Sequence, residues 1–269
     1  MTHRFAGLIF TLSAAIPAAL FAQHAPSPAP RSADIVFLGE LHDNPEHHAR
    51  QAGWVAQIAP ETLVFEMLTA EQAARVTPEN RSDPQALGET LGWEASGWPD
   101  FSMYYPIFEA APEARIVGAA VPREALQAAV RQDPGTAGDP AISAAFGLHE
   151  PLSEAEQTAR EALQASAHCD ALPEDMLPGM VNVQRLRDAT LAARALDAFR
   201  ERGGPVVVIT GNGHARTDWG APALLRRAAP DLAVFALGQG ENGDPPGGDF
   251  DQVADAEPVD RGDPCEAFR

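Results

Sequence analysis

Ile35-Val36-Phe37-Leu38-Gly39-Glu40-Leu41-His42-Asp43-Asn44-Pro45 opens on four consecutive large apolar residues and closes on a helix start. An apolar run without alternation reads as a strand covered on both faces. Asn44-Pro45 then supplies a cap and a first-turn proline for a helix to about Ala59. The pattern recurs along the chain. Thr62-Leu63-Val64-Phe65, Ile116-Val117, Val206-Val207-Val208-Ile209 and Leu232-Ala233-Val234-Phe235-Ala236-Leu237 are further apolar runs. Helices are predicted from Asp83-Pro84, from the capping pattern Ser153-Glu154-Ala155-Glu156, and from about Met180 to Arg202, where Gly203-Gly204 stops the chain. Strands alternating with helices predict an α/β fold, with a central, mainly parallel sheet flanked by helices. The long, mostly helical stretch between the third and fourth core strands predicts a helical insertion.

Composition sets the organisation. Residues 1–22 read as a secretion signal, with Arg4 ahead of an apolar run and a cut after Ala22. A Pro/Ala-rich linker follows over 23–32, then an α/β domain over 33–240. Residues 241–269, rich in Gly, Pro and Asp, are expected to form an irregular tail. The expectation is an exported protein, periplasmic or cell-envelope associated, with no integral span in the mature chain.

All 19 basic residues are arginine. The lack of lysine excludes phosphate-loop NTPases, Schiff-base enzymes and Ser-Lys hydrolases. A formal charge of −19 argues against nucleic acid as a partner. Cys169 and Cys265 are the two cysteines, either one disulfide in an exported chain or two unpaired thiols. No Cys-x-x-Cys-His run offers covalent haem attachment.

Chemistry collects where the strands end. Glu40 and His42 follow the first run, Glu66 the second, and Gly211-Asn212-Gly213-His214-Ala215-Arg216 the fourth. Ligands of open α/β sheets bind outside the carboxyl ends of the strands. Glu40, His42, Glu66 and His214 therefore form the candidate site, either ligands for a divalent transition metal or a general base with orienting acids. His47 and His48 read as helix-face residues, and His149 and His168 as structural. From Trp93 to Phe108 the chain holds six aromatics, including both tyrosines, although aromatics are 7% of the whole. Such density is either a packed connector or one wall of a flat apolar pocket.

Several short motifs occur in a specific joint order: Gly39-Glu40-Leu41-His42-Asp43-Asn44, Glu66-Met67, Gly97-Trp98-Pro99 through Tyr104-Tyr105-Pro106-Ile107, Pro122-Arg123-Glu124, His168-Cys169, Leu177-Pro178-Gly179-Met180 with Gln184-Arg185-Leu186-Arg187-Asp188, and Gly211-Asn212-Gly213-His214. In this order the chain resembles the ChaN-like haem-binding proteins, a branch of the superfamily that holds the Tiki/TraB proteins and erythromycin esterases. The resemblance implies an α/β sheet with helical insertions and non-covalent haem binding in a homodimer, for haem or iron uptake at the cell envelope. It also implies Tyr104 as the iron ligand, with His42, His214 and Arg123 or Arg216 holding propionates or lining the pocket. Relatives elsewhere in the superfamily imply the alternative, a metal-dependent or histidine-based hydrolase using Glu40, His42, Glu66 and His214. The chain departs from the pattern in lacking a lipobox cysteine after the signal, in carrying Ala120 where Asn is frequent, and in carrying Asp170 where Gly is frequent.

Overall fold

The computed structural model describes residues 30–263, 265 and 266. The signal segment and most of the linker lie outside the described residues. Six strands are present: β1 (Ile35–Leu38), β2 (Thr62–Phe65), β3 (Arg115–Gly118), β4 (Val206–Ile209), β5 (Val234–Glu241) and β6 (Gln252–Ala256). They form one sheet in the order β3-β2-β4-β1-β5-β6, and every pairing is parallel. Leu38 pairs with Ile209, and Ile209 with Phe65, so β1, β4 and β2 end level with one another. That alignment brings the segments after these three strands to one place.

Eleven α-helices cover the sheet among the described residues. They are α1 (Pro45–Ile58), α2 (Ala70–Ala74), α3 (Pro78–Arg81), α4 (Pro84–Leu91), α5 (Phe101–Ala110), α6 (Arg123–Arg131), α7 (Pro134–Ala137), α8 (Pro140–Ala145), α9 (Glu154–Ala167), α10 (Leu177–Arg202) and α11 (Ala221–Ala228). The Asn44 side chain caps α1, accepting from Glu46 N and His47 N, and Asp83 caps α4 likewise. Alternate strand residues feed two cores. Val36, Leu38, Leu63, Phe65 and Ile209 pack with Val55, Leu87 and Phe108 on the side of α1, α4 and α5. Ile35, Phe37, Val64 and Val208 pack with Leu186, Leu196 and Leu225 on the side of α10 and α11. Burying a side chain of this kind contributes about 1.5–3 kcal/mol, which is why both faces of each run are apolar. The helices from α6 to α10 occupy the predicted insertion between β3 and β4. No described helix is long and apolar enough to cross a membrane.

The carboxyl-terminal segment differs from its expectation. β5 runs on to Glu241, and β6 adds a sixth strand where an irregular tail was expected. β6 is mostly exposed (only Ala256 is buried), so it lacks the apolar run that marks a covered strand. Its order comes from pairing with β5 over Leu237–Glu241. Beyond it, Arg261 forks onto Asp43 and Glu241 at 2.5–2.7 Å. Cys169 and Cys265 are joined by a disulfide.

Candidate functional site

Gly39 leaves β1 donating its N–H to Leu237 O at 2.8 Å. A side chain there would strike Asn212 Oδ1 and Leu237 O, at 2.5 and 2.8 Å. Asn212 is itself locked, donating from Nδ2 to Gln239 O at 2.8 Å and accepting from Gln239 N at 2.9 Å. The turn after β4 is thereby tied across β1 to β5.

Two carboxylate–imidazole pairs flank a third carboxylate. Glu40 Oε1 lies 2.7 Å from His42 Nδ1, and Asp188 Oδ1 lies 2.7 Å from His214 Nδ1. Between the pairs stands Glu66. Its Oε2 accepts from Thr210 Oγ1 at 2.6 Å and Gly211 N at 2.8 Å, and its Oε1 lies 3.6 Å from His214 Nε2. His42 completes the cluster, because a Cβ on Gly211 would sit 2.8 Å from His42 Nε2 and 3.8 Å from Glu66 Oε2. Glycine is what lets the backbone come this close. The four residues expected to converge do converge.

The charges explain the protonation states. Burial alone would push the Glu66 carboxyl up, but His214, His42, Thr210 and the Gly211 N–H together hold it at about 2. Burial likewise opposes charge on His214, yet Glu66 and Asp188 outweigh it and the imidazole is raised above its ordinary value. His42 is raised in the same way, with Glu40 and Glu66 overcoming burial. Asp188 is raised by burial, against the pull of His214. His42 is the accessible member: its side chain is 33% exposed, while that of Glu40 is wholly buried.

Tyr104 and Arg216 are engaged within the chain. Tyr104 is fully buried, and its hydroxyl donates to Glu40 Oε1 at 3.0 Å. Burial, then the charge of Glu40, hold the phenol well above its ordinary value. Arg216 is also spent: its guanidinium holds Asp218 through two nitrogens and stacks on Trp219 at 3.6 Å. Among the described residues no three His, Cys, Asp or Glu side chains are grouped to hold an ion. Glu40 and Asp188 face imidazoles, and Glu66 faces His214 and the Thr210–Gly211 donors. Arg123 remains exposed at the start of α6, on the carboxyl side of β3.

Sequence reasoning missed Asp188 and His48. Asp188 sits on the buried stripe of α10 with Val181, Ala192 and Ala195, and an acid on an apolar stripe was the available signal. His48 is buried too; its Nε2 donates to His42 O at 2.8 Å and its Nδ1 lies 3.4 Å from Glu40 Oε2. His47 holds the loop from the other side, accepting from Leu41 N at 2.9 Å and donating to Gly240 O at 3.1 Å.

Beside His42 the aromatic stretch opens outward. The His42 and Trp98 rings lie 4.8 Å apart, and Trp98 is one wall of a hollow of about 860 Å³ also lined by Trp93, Pro99 and Phe101. The stretch thus does both jobs considered for it. Tyr104, Ile107 and Phe108 are core, while Trp98 faces the opening.

An open parallel α/β sheet with paired imidazoles at its carboxyl edge belongs to the class of folds that bind ligands outside their strand ends. The match of residues 29–225 to the family described as haem-binding uptake, Tiki superfamily, ChaN narrows that class. The chain belongs to this family. Comparison with curated protein sequences gives no match. Among solved structures, one described as cofacial heme binding to ChaN of Campylobacter jejuni superimposes with a TM-score of 0.60 at 17% identity, covering 83% of this chain and 87% of that one. That likeness shows the fold. The type III effector HopBA1 matches with a TM-score of 0.38 at 13% identity, over 77% of this chain and 76% of that one.

Proposed function

We propose that this protein binds haem non-covalently in the hollow beside Trp98, with His42 as the imidazole presented to it. Family membership supports haem as the ligand, and the observation that carries the placement is the 4.8 Å contact between His42 and Trp98. A porphyrin is flat and apolar, and Trp98 and Phe101, backed by the buried Trp93, offer a matching surface. When bound, haem would supply an iron centre, which His42 would hold through a ring nitrogen. Glu40 holds His42 Nδ1, which fixes the ring beside Trp98. Arg123, with Arg216 engaged elsewhere, is the candidate for a propionate. Leu41 is exposed beside the site and suits a second copy of the chain closing over it. A role in haem or iron handling at the cell envelope extends this reading, supported by the signal-like residues 1–22.

Titration with ferric haem, followed at the Soret band, tests the reading. A saturable shift is expected, weakened at least tenfold in His42→Ala and lessened in Trp98→Ala. An equal shift in wild type and both variants would reject the site.

A second reading rests on one observation: two imidazoles, each oriented by a carboxylate, flank Glu66. This is the arrangement of a general base with its orienting acid. An ester and peptide panel on wild type, His42→Ala and His214→Ala tests it. Turnover that both variants abolish supports histidine-based hydrolysis, and turnover indifferent to them removes it.

A further inference from the structure

On the face of the sheet away from Trp98, a second cavity of about 200 Å³ lies between α9, α10, α11 and the turn after α8. One arginine reaches it from each helix: Arg160, Arg185 and Arg227. Four carboxylates share the walls, and three have partners. Glu156 takes Arg160 at 2.5 and 3.0 Å, Asp218 takes Arg216 at 2.8 Å, and Asp188 takes His214 at 2.7 Å. The Glu150 carboxylate turns back toward Gly147.

Arg185 and Arg227 are left with carbonyl oxygens. Arg185 donates to Glu150 O at 2.7 Å and Gly147 O at 3.4 Å, and Arg227 to Phe146 O at 3.3 Å. Among the described residues, Arg160 is the member of the three that is paired with a carboxylate. Burial, then the charge of Arg160, bring the Arg185 guanidinium below its ordinary value, against the pull of Asp133 and Glu156 and with a smaller push from Arg227. An oxyanion between them would give Arg185 and Arg227 an acidic partner in addition to their carbonyl oxygens. Guanidinium forks match the two oxygens of a carboxylate or phosphate.

We propose that this cavity binds a small oxyanion, a carboxylate or phosphate group, through Arg185 and Arg227, with Arg160 closing the third side. The volume admits a ligand of a few heavy atoms and excludes a porphyrin. Leu148, Leu152 and Leu224 supply apolar wall for a short carbon chain. Asp188 lies on the same wall with His214 behind it, so an occupant sits one residue away from the paired-imidazole site.

The test is thermal denaturation of the full chain in rising inorganic phosphate or acetate, at constant ionic strength against sodium chloride. A saturable rise in Tm with phosphate, acetate or both, absent with chloride, is expected, and the stronger ion identifies the class. Arg185→Gln and Arg227→Gln are each expected to weaken the response at least tenfold. Arg227 is exposed and makes a single long carbonyl contact, so its variant folds even if Arg185→Gln does not. The proposal is overturned by an equal response to chloride, or by an undiminished response in Arg227→Gln. The haem titration is expected to be unchanged in Arg227→Gln; a weakened one would move the cavity into the haem site and reject a separate small ligand.

Discussion

The Tyr104 hydroxyl stands 3.0 Å from Glu40 Oε1, the same oxygen that meets His42 Nδ1 at 2.7 Å. One buried carboxylate oxygen thus joins the loop after β1 to α5, and α5 also carries the aromatic wall's inner side. Any change at Tyr104 is passed to His42 through Glu40.

Tyr104→Phe removes one of the two donors and leaves the ring packing in place. A loss of about 1.5–3 kcal/mol in unfolding free energy is expected for a buried bond to a carboxylate, read by urea denaturation. The ferric-haem Soret shift is expected to persist, since the hydroxyl faces Glu40 and not the hollow. Abolition of the shift would reinstate the tyrosine as iron ligand.

Acid should unfold the protein partly through Glu66. Its carboxyl is held at about 2 against a usual 4.5, so its contribution is complete above pH 4.5 and is lost as the pH falls toward 2. His214 is raised, so its contribution is complete below its unfolded value and fades as the pH rises through the folded one. Denaturant unfolding between pH 2 and 5 should therefore show a shallower acid limb in Glu66→Gln than in wild type. Identical limbs would assign the acid sensitivity to other carboxylates.

Cys169 and Cys265 close a loop with a sequence separation of 96. A crosslink of that span stabilises by up to about 4–5 kcal/mol in the chain-entropy model. Cys169→Ser, or wild type in reductant, should melt at a clearly lower temperature. Equal melting temperatures with and without reductant would show that the bridge contributes nothing.

The core strands were legible because burial on both faces demands what the eye finds first: unbroken apolar residues such as Val206–Ile209. Glu40, Glu66 and His214 were legible because the sheet's carboxyl edge collects whatever follows each strand. β6 was not, since half-exposed residues at a sheet edge obey no hydrophobic period. Asp188 escaped because it comes from the middle of α10, where strand ends give no guidance. The roles of Tyr104 and Arg216 depended on side-chain partners, Glu40 and Asp218, that no spacing reveals.

Asn44 makes two commitments. It caps α1, and its Nδ2 donates to Glu241 Oε1 at 2.6 Å and Glu257 O at 2.9 Å, while Arg261 binds the neighbouring Asp43. The last turns of the chain are consequently a splint for the His42 loop. A form cut before β6 would strip Asn44 of its Glu257 acceptor and Asp43 of Arg261, so removing an edge strand would loosen the loop after β1, two places along the sheet order.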